Sequence, residues 1–154
     1  MKLYVMRHGD AQLQASKDSL RPLTQTGIDE VRQAAAWLKQ TALTIDVVLV
    51  SPYLRAQQTW QTLSDDIHAG QLFNESNITP DSPPAIAHES IDALLNALPD
   101  AATALIVSHM PLVCYLIQEM SGNCAPLMAT ASVIELDYDP QRGCGTQLRT
   151  FQPK

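Results

Sequence analysis

Three short apolar runs constrain this chain more than anything else in it: Leu3–Met6, Val47–Val50 and Ala104–Val107. Each is too short for a buried helix, and each is bounded by polar residues, so each reads as a strand buried on both faces of a sheet. Segments with helical spacing lie between them, which predicts alternating strands and helices and a mostly parallel sheet. Directly behind the runs stand Arg7-His8-Gly9, Ser51-Pro52-Tyr53-Leu54-Arg55 and Ser108-His109-Met110-Pro111. In open α/β sheets, ligands bind beyond the carboxyl ends of the strands. Two histidines and at least two arginines are therefore expected to converge there, in a site suited to phosphate.

The intervening segments fill in the architecture. A helix is expected from about Thr26, with Ile28, Val31, Ala35, Leu38 and Ala42 on its inner face. Ser51 is expected to cap a second helix, with Pro52 in its first turn and Tyr53, Ala56, Trp60, Leu63 and Ile67 inward. Ile86–Leu98 and Leu112–Met120 supply two more helices, and Gln71–Phe73 gives only a weak strand signal. Ile134, Leu136 and Tyr138 alternate with Glu135 and Asp137, predicting a strand with one wet face, and Thr146–Phe151 returns as an antiparallel partner. The expected fold is a three-layer α/β/α sandwich, mostly parallel with an antiparallel edge, forming one domain over residues 1–154.

Composition narrows the function. The net charge of −6 disfavours nonspecific nucleic-acid binding. No run approaches the roughly 20 apolar residues of a membrane span, and the chain enters a strand at once, leaving no room for a signal peptide. A cytoplasmic protein is expected. Cys114, Cys124 and Cys144 are odd in number and lack paired spacing, so they read as reduced thiols. The histidines lack HExxH spacing, no acidic cluster matches a calcium or magnesium loop, and no GxxxxGK[ST] loop is present. No metal or cofactor is expected.

The candidate residues suit phosphoryl chemistry. A neutral imidazole is a good nucleophile, and flanking arginines would hold His8 uncharged near neutral pH. Its second ring nitrogen should give its proton to a fixed acceptor such as a loop carbonyl, and Gly9 would let the backbone bend there. Taken alone, His8 can equally be a surface residue at a strand end. Arg7 and Arg55 can each present a planar fork to phosphate oxygens. Arg21 could reach the same pocket or remain a solvated loop residue. His109 and the backbone N–H of Met110 could both donate to a phosphoryl group. Arg32, Arg142, Arg149, His68 and His88 read as surface residues.

Together these segments resemble the histidine phosphatase superfamily, also called phosphoglycerate-mutase-like. LYVMRHGD, SPYLRAQQT and VSHMPL stand in the family's order at strand ends, and DSLRPLT over Asp18–Thr24 is similar to the short bacterial SixA-type phosphohistidine phosphatases. The resemblance implies that His8 is transiently phosphorylated, that Arg7, Arg21, Arg55 and His109 form the phosphate pocket, and that water then releases inorganic phosphate. It implies no cofactor, and a substrate that is a phosphohistidine on a signalling or phosphotransfer protein. An enzyme this small is expected to work as a monomer. Many relatives carry an acid that protonates a leaving alcohol. Here the matching stretch offers only Glu75 or Asp81. Leaving imidazole needs such help less than a sugar alkoxide does. The alternatives are a small-molecule phosphomonoesterase or mutase using the same site, or a phosphoprotein-binding module without catalysis.

Overall fold

A computed structural model of the chain describes residues 1–123 and 127–154; Cys124 lies outside the described residues. Among the described residues, six strands and four α-helices follow in the order β1 (Lys2–Arg7), α1 (Gln25–Leu38), β2 (Thr44–Val50), α2 (Leu54–Leu63), β3 (His68–Asn74), α3 (Pro84–Asn96), β4 (Thr103–Ser108), α4 (Leu112–Ser121), β5 (Val133–Asp139) and β6 (Cys144–Phe151). The strands form one sheet in the order β3-β2-β4-β1-β5-β6. β3, β2, β4 and β1 run parallel, β5 is antiparallel to β1, and β6 pairs antiparallel with β5. The expected three-layer sandwich with an antiparallel edge is therefore the observed one.

The apolar runs are explained by the layering. Side chains alternate faces along a strand. Leu3, Val5, Val47, Leu49, Ala104 and Ile106 pack on one side with α3 and α4 residues such as Ile91, Leu95, Leu112 and Leu116. Tyr4, Met6, Val48, Val50, Leu105 and Val107 pack on the other side with Val31, Ala35, Ala56 and Trp60 of α1 and α2. Both faces are covered, so the central strands carry no polar residue in those runs. Among the described residues, no helix is long and apolar enough to cross a membrane.

Several local expectations change. α1 is capped by Thr24, whose side chain accepts from Gly27 N at 3.0 Å, so it starts at Gln25. Ser51 does not cap α2: the cap position is Tyr53, without a side-chain cap bond. β3 is a full edge strand of seven residues, mostly exposed, which is why its apolar signal is thin. Glu135 is not on a wet face; it is 2% exposed and ion-paired with Lys2 and Arg149. Arg149 also lies over the Trp37 ring at 4.9 Å. His88 is not a free surface residue, since its ring bonds Glu119 and the Tyr138 hydroxyl, both at 2.9 Å.

Candidate active site

Strand register sets the frame of the site. β1 and β4 lie side by side with Arg7 opposite Ser108, and His8 N donates to Ser108 O at 3.0 Å. The next residues, His8 and His109, therefore leave adjoining strand ends, and their ring centroids are 5.1 Å apart. β2 ends one strand over at Val50, and Ser51 N donates to Val107 O at 3.1 Å. α2 follows, with Arg55 in its first turn, where the helix dipole favours anions.

Two further contacts lock this frame. Thr59, one turn beyond Arg55, accepts from Gly9 N at 3.1 Å and donates to Arg55 O at 2.7 Å, tying the loop after His8 to α2. On the far side, Ala131 N donates to His8 O at 2.9 Å. Ala131 holds φ at 57°, a left-handed conformation that costs a non-glycine residue energy and that the buried surroundings impose. Gly9 is needed for a different reason than expected. It does not adopt positive φ; a Cβ there would meet Gly27 O at 2.8 Å, so glycine lets the loop lie directly on α1.

His8 is 6% exposed, and its partners determine its tautomer. Gly9 O, 2.6 Å from Nδ1, can only accept, so Nδ1 carries the proton. Arg55 Nε, 3.3 Å from Nε2, can only donate, so Nε2 keeps its lone pair. Burial is the main reason that the His8 pKa falls from 6.5 to about 4; the positive charges of Arg55, Arg7 and Arg21 add to the effect and the Gly9 bond opposes it. The expected neutral imidazole is present, but desolvation rather than the arginines dominates. His109 is 1% exposed, and burial first, then the charges of His8, Arg55 and Arg7, lower its pKa to about 2.

The guanidinium groups are held in place. Arg55 donates from Nη1 to Asp18 O at 2.7 Å and from Nη2 to Asp18 Oδ2 at 3.1 Å, and lies 5.1 Å from the Tyr53 ring centroid. Arg21 donates from Nη1 to Asp18 Oδ1 at 3.1 Å and from Nε to Gln12 O at 2.6 Å. Asp18 thus links both forks, and its carboxyl pKa is lowered, first by the bond from Arg21, with burial opposing and the Arg55 bond and both positive charges adding to the lowering. Arg7 Nη1 reaches Met128 O at 2.8 Å. Met110 follows His109 directly, and its side chain accepts from the Cys114 thiol at 3.2 Å.

Three buried side-chain polar atoms lack a partner among the described residues: Arg7 Nε, His109 Nδ1 and Ser132 Oγ. Unsatisfied buried polar atoms are uncommon in folded proteins. Here Arg7 and His109 flank His8, and Ser132 O accepts from Arg7 N at 3.1 Å. Such a site can take up an anion with several oxygens. The sequence reading did not single out Asp18, Thr59 or Ser51 as site residues. Thr59 had a signal, since it lies four residues after Arg55 and so on the same helix face. Asp18 had a partial one, since Arg21 stands three residues on in the same loop, but its second partner Arg55 comes from a distant segment. Glu75 turns its carboxylate inward to Asn77 N at 2.9 Å.

Comparisons with known proteins agree with this geometry. The model of the histidine phosphatase superfamily (branch 1) matches residues 3–78. Phosphohistidine phosphatase SixA of Escherichia coli (strain K12) is 40% identical over 149 residues, covering 95% of this chain and 90% of the relative. The SixA homologue of Haemophilus influenzae is 35% identical over 148 residues, covering 90% of this chain and 89% of that one. Among solved structures, the protein histidine phosphatase SixA complexed with tungstate superposes with a TM-score of 0.91 at 37% identity, covering 99% of this chain and 97% of that one.

Proposed function

The chain belongs to the histidine phosphatase superfamily, and on that premise we propose that it removes phosphate from phosphohistidine on a signalling or phosphotransfer protein, with His8 as nucleophile. The observation that carries this reading is the tautomer of His8: a proton on Nδ1 held by Gly9 O, and a lone pair on Nε2 beside Arg55. A neutral, oriented imidazole is what in-line attack on phosphorus requires.

In this mechanism the Nε2 lone pair forms a bond to phosphorus while the bond from phosphorus to the substrate imidazole breaks. The electron pair leaves on the substrate nitrogen, which takes its proton from solvent. Arg55 shifts its Nε–H from His8 to a phosphoryl oxygen. Arg7, Arg21, His109 and the Met110 N–H complete the phosphate pocket, stabilising charge on the three equatorial oxygens. Water then attacks phosphorus, the bond to His8 Nε2 breaks, and inorganic phosphate leaves with neutral His8 restored. This reading needs groups of one chain only, and we take the enzyme to act as a monomer and as a single domain over residues 1–154. The exposed Cys144 thiol suits a reducing cytoplasm.

Two features support a protein substrate over a small ester. Glu75 is engaged with its own backbone turn rather than poised to protonate an alkoxide. Leu13, Leu20 and Leu127 are 89%, 49% and 86% exposed. They neighbour Gln12, Arg21 and Met128, whose atoms bond within or onto the arginine cluster. Exposed apolar side chains beside a charged site suit a protein surface better than a sugar. The test is phosphate release from a panel of phosphohistidine-bearing proteins alongside sugar phosphates. Higher kcat/KM on a phosphohistidine protein, with acid-labile labelling of the parent and none of His8→Ala, supports the proposal. Faster turnover of the sugar esters overturns it.

A further inference from the structure

We propose that Ser51 is a positioning residue that fixes the tautomer of His109, setting its ring proton on Nδ1 for donation to the transferring phosphoryl group. Ser51 is fully buried at the end of β2, and its Oγ lies 2.7 Å from His109 Nε2. Oγ already accepts from Tyr53 N–H at 3.3 Å. A hydroxyl has one proton to give, and among the described residues His109 Nε2 is the other polar partner of this oxygen. The hydroxyl proton therefore goes to Nε2, which must be bare.

The opposite arrangement strands the hydroxyl proton and removes a donor from the phosphate pocket. If Nε2–H donated to Ser51, the hydroxyl proton would be buried without an acceptor. Nδ1, which is buried and unpartnered, would then be a bare lone pair in a site built from arginines. A lone pair there would repel phosphoryl oxygens, whereas an N–H attracts them. His109 stays singly protonated, since burial holds its pKa at about 2. The location of that one proton therefore decides whether His109 helps or hinders. The Tyr53 ring packs edge-on against the His109 ring, with centroids 5.2 Å apart.

The donation step rests on the phosphatase reading of the site, but the tautomer can be measured without it. Long-range proton–nitrogen NMR on the full chain labelled at histidine distinguishes the two forms. The parent is expected to show His109 protonated on Nδ1. Ser51→Ala is expected to shift a measurable share of the proton to Nε2 and to lower kcat at least roughly tenfold, as partial loss of a preplaced donor should. Ser51→Thr, which keeps the hydroxyl, is expected to restore both. A parent protonated on Nε2 overturns the inference, and so does Ser51→Ala with an unchanged tautomer, even if its kcat falls for other reasons. If Ser51→Ala does not fold, the parent spectrum and Ser51→Thr decide alone. Loss of phosphohistidine turnover in the parent itself would instead count against the phosphatase reading.

Discussion

Arg55→Ala is the sharpest perturbation of the proposed chemistry, because its kinetic and structural costs differ in size. Arg55 is 4% exposed and places donors on His8 Nε2, Asp18 O and Asp18 Oδ2. In the resting enzyme the ion pair with Asp18 is weak, since that carboxylate is 57% exposed; such pairs contribute about 1 kcal/mol or less. In the transition state the same guanidinium would face phosphoryl oxygens in a buried site. Losing one preorganised donor there typically costs roughly 10²- to 10³-fold in rate, or about 3–4 kcal/mol. The variant should therefore lose at least about a hundredfold in kcat/KM while its melting temperature falls only modestly. Arg55→Lys should recover little, because an ammonium cannot reproduce the fork. Single-turnover phosphate release with excess enzyme, paired with thermal unfolding, separates the two costs. A folded Arg55→Ala enzyme within tenfold of the parent would refute the role assigned to this residue.

Two other outcomes are expected. Because the folded-state pKa of His8 lies below its ordinary 6.5, at about 4, the unfolded chain takes up this proton first. The stability from keeping His8 neutral is complete above pH 6.5 and is lost as pH falls toward 4, amounting to roughly 3 kcal/mol. NMR titration of the ring should show no midpoint near 6.5, and His8→Asn should flatten the acid side of the stability profile. Asp18→Ala should remove the carboxylate partner of the Arg21 and Arg55 forks, and with it one negative charge at the site, while their bonds to the backbone oxygens of residues 12 and 18 remain. Inorganic phosphate should then inhibit more strongly, while kcat falls several-fold because the forks are less firmly placed; weaker inhibition with unchanged kcat would contradict this.

Strands β1, β2 and β4 were legible because burial on both faces leaves uninterrupted apolar runs, and the residues behind them announced the site. What was hidden depended on partners distant in sequence. Glu135 reads as a surface residue until Lys2 and Arg149 arrive on neighbouring strands. Ser51 looks like a helix cap, but the cap position falls two residues later at Tyr53, and the Ser51 hydroxyl meets His109 instead. Asp18 sits in a polar loop with Arg21 three residues on, but nothing in that loop points to Arg55 as its second guanidinium partner. The edge strand β3 is faint because exposed positions do not require apolar residues. Local pattern reports burial, and long-range pairing must be seen in three dimensions.

The pairing of Arg7 with Ser108 has one more consequence. The spacing of the His8 and His109 rings starts from this hydrogen-bonded register, and the contacts of Thr59, Ala131 and Ser51 hold the residues just past the strand ends. Connections on this rim outside those contacts can therefore lengthen without disturbing the proposed chemistry. The exposed positions between β3 and α3, away from the buried Ile78 whose carbonyl accepts from Ser108, offer such a place, where added structure would restrict which molecules reach the site.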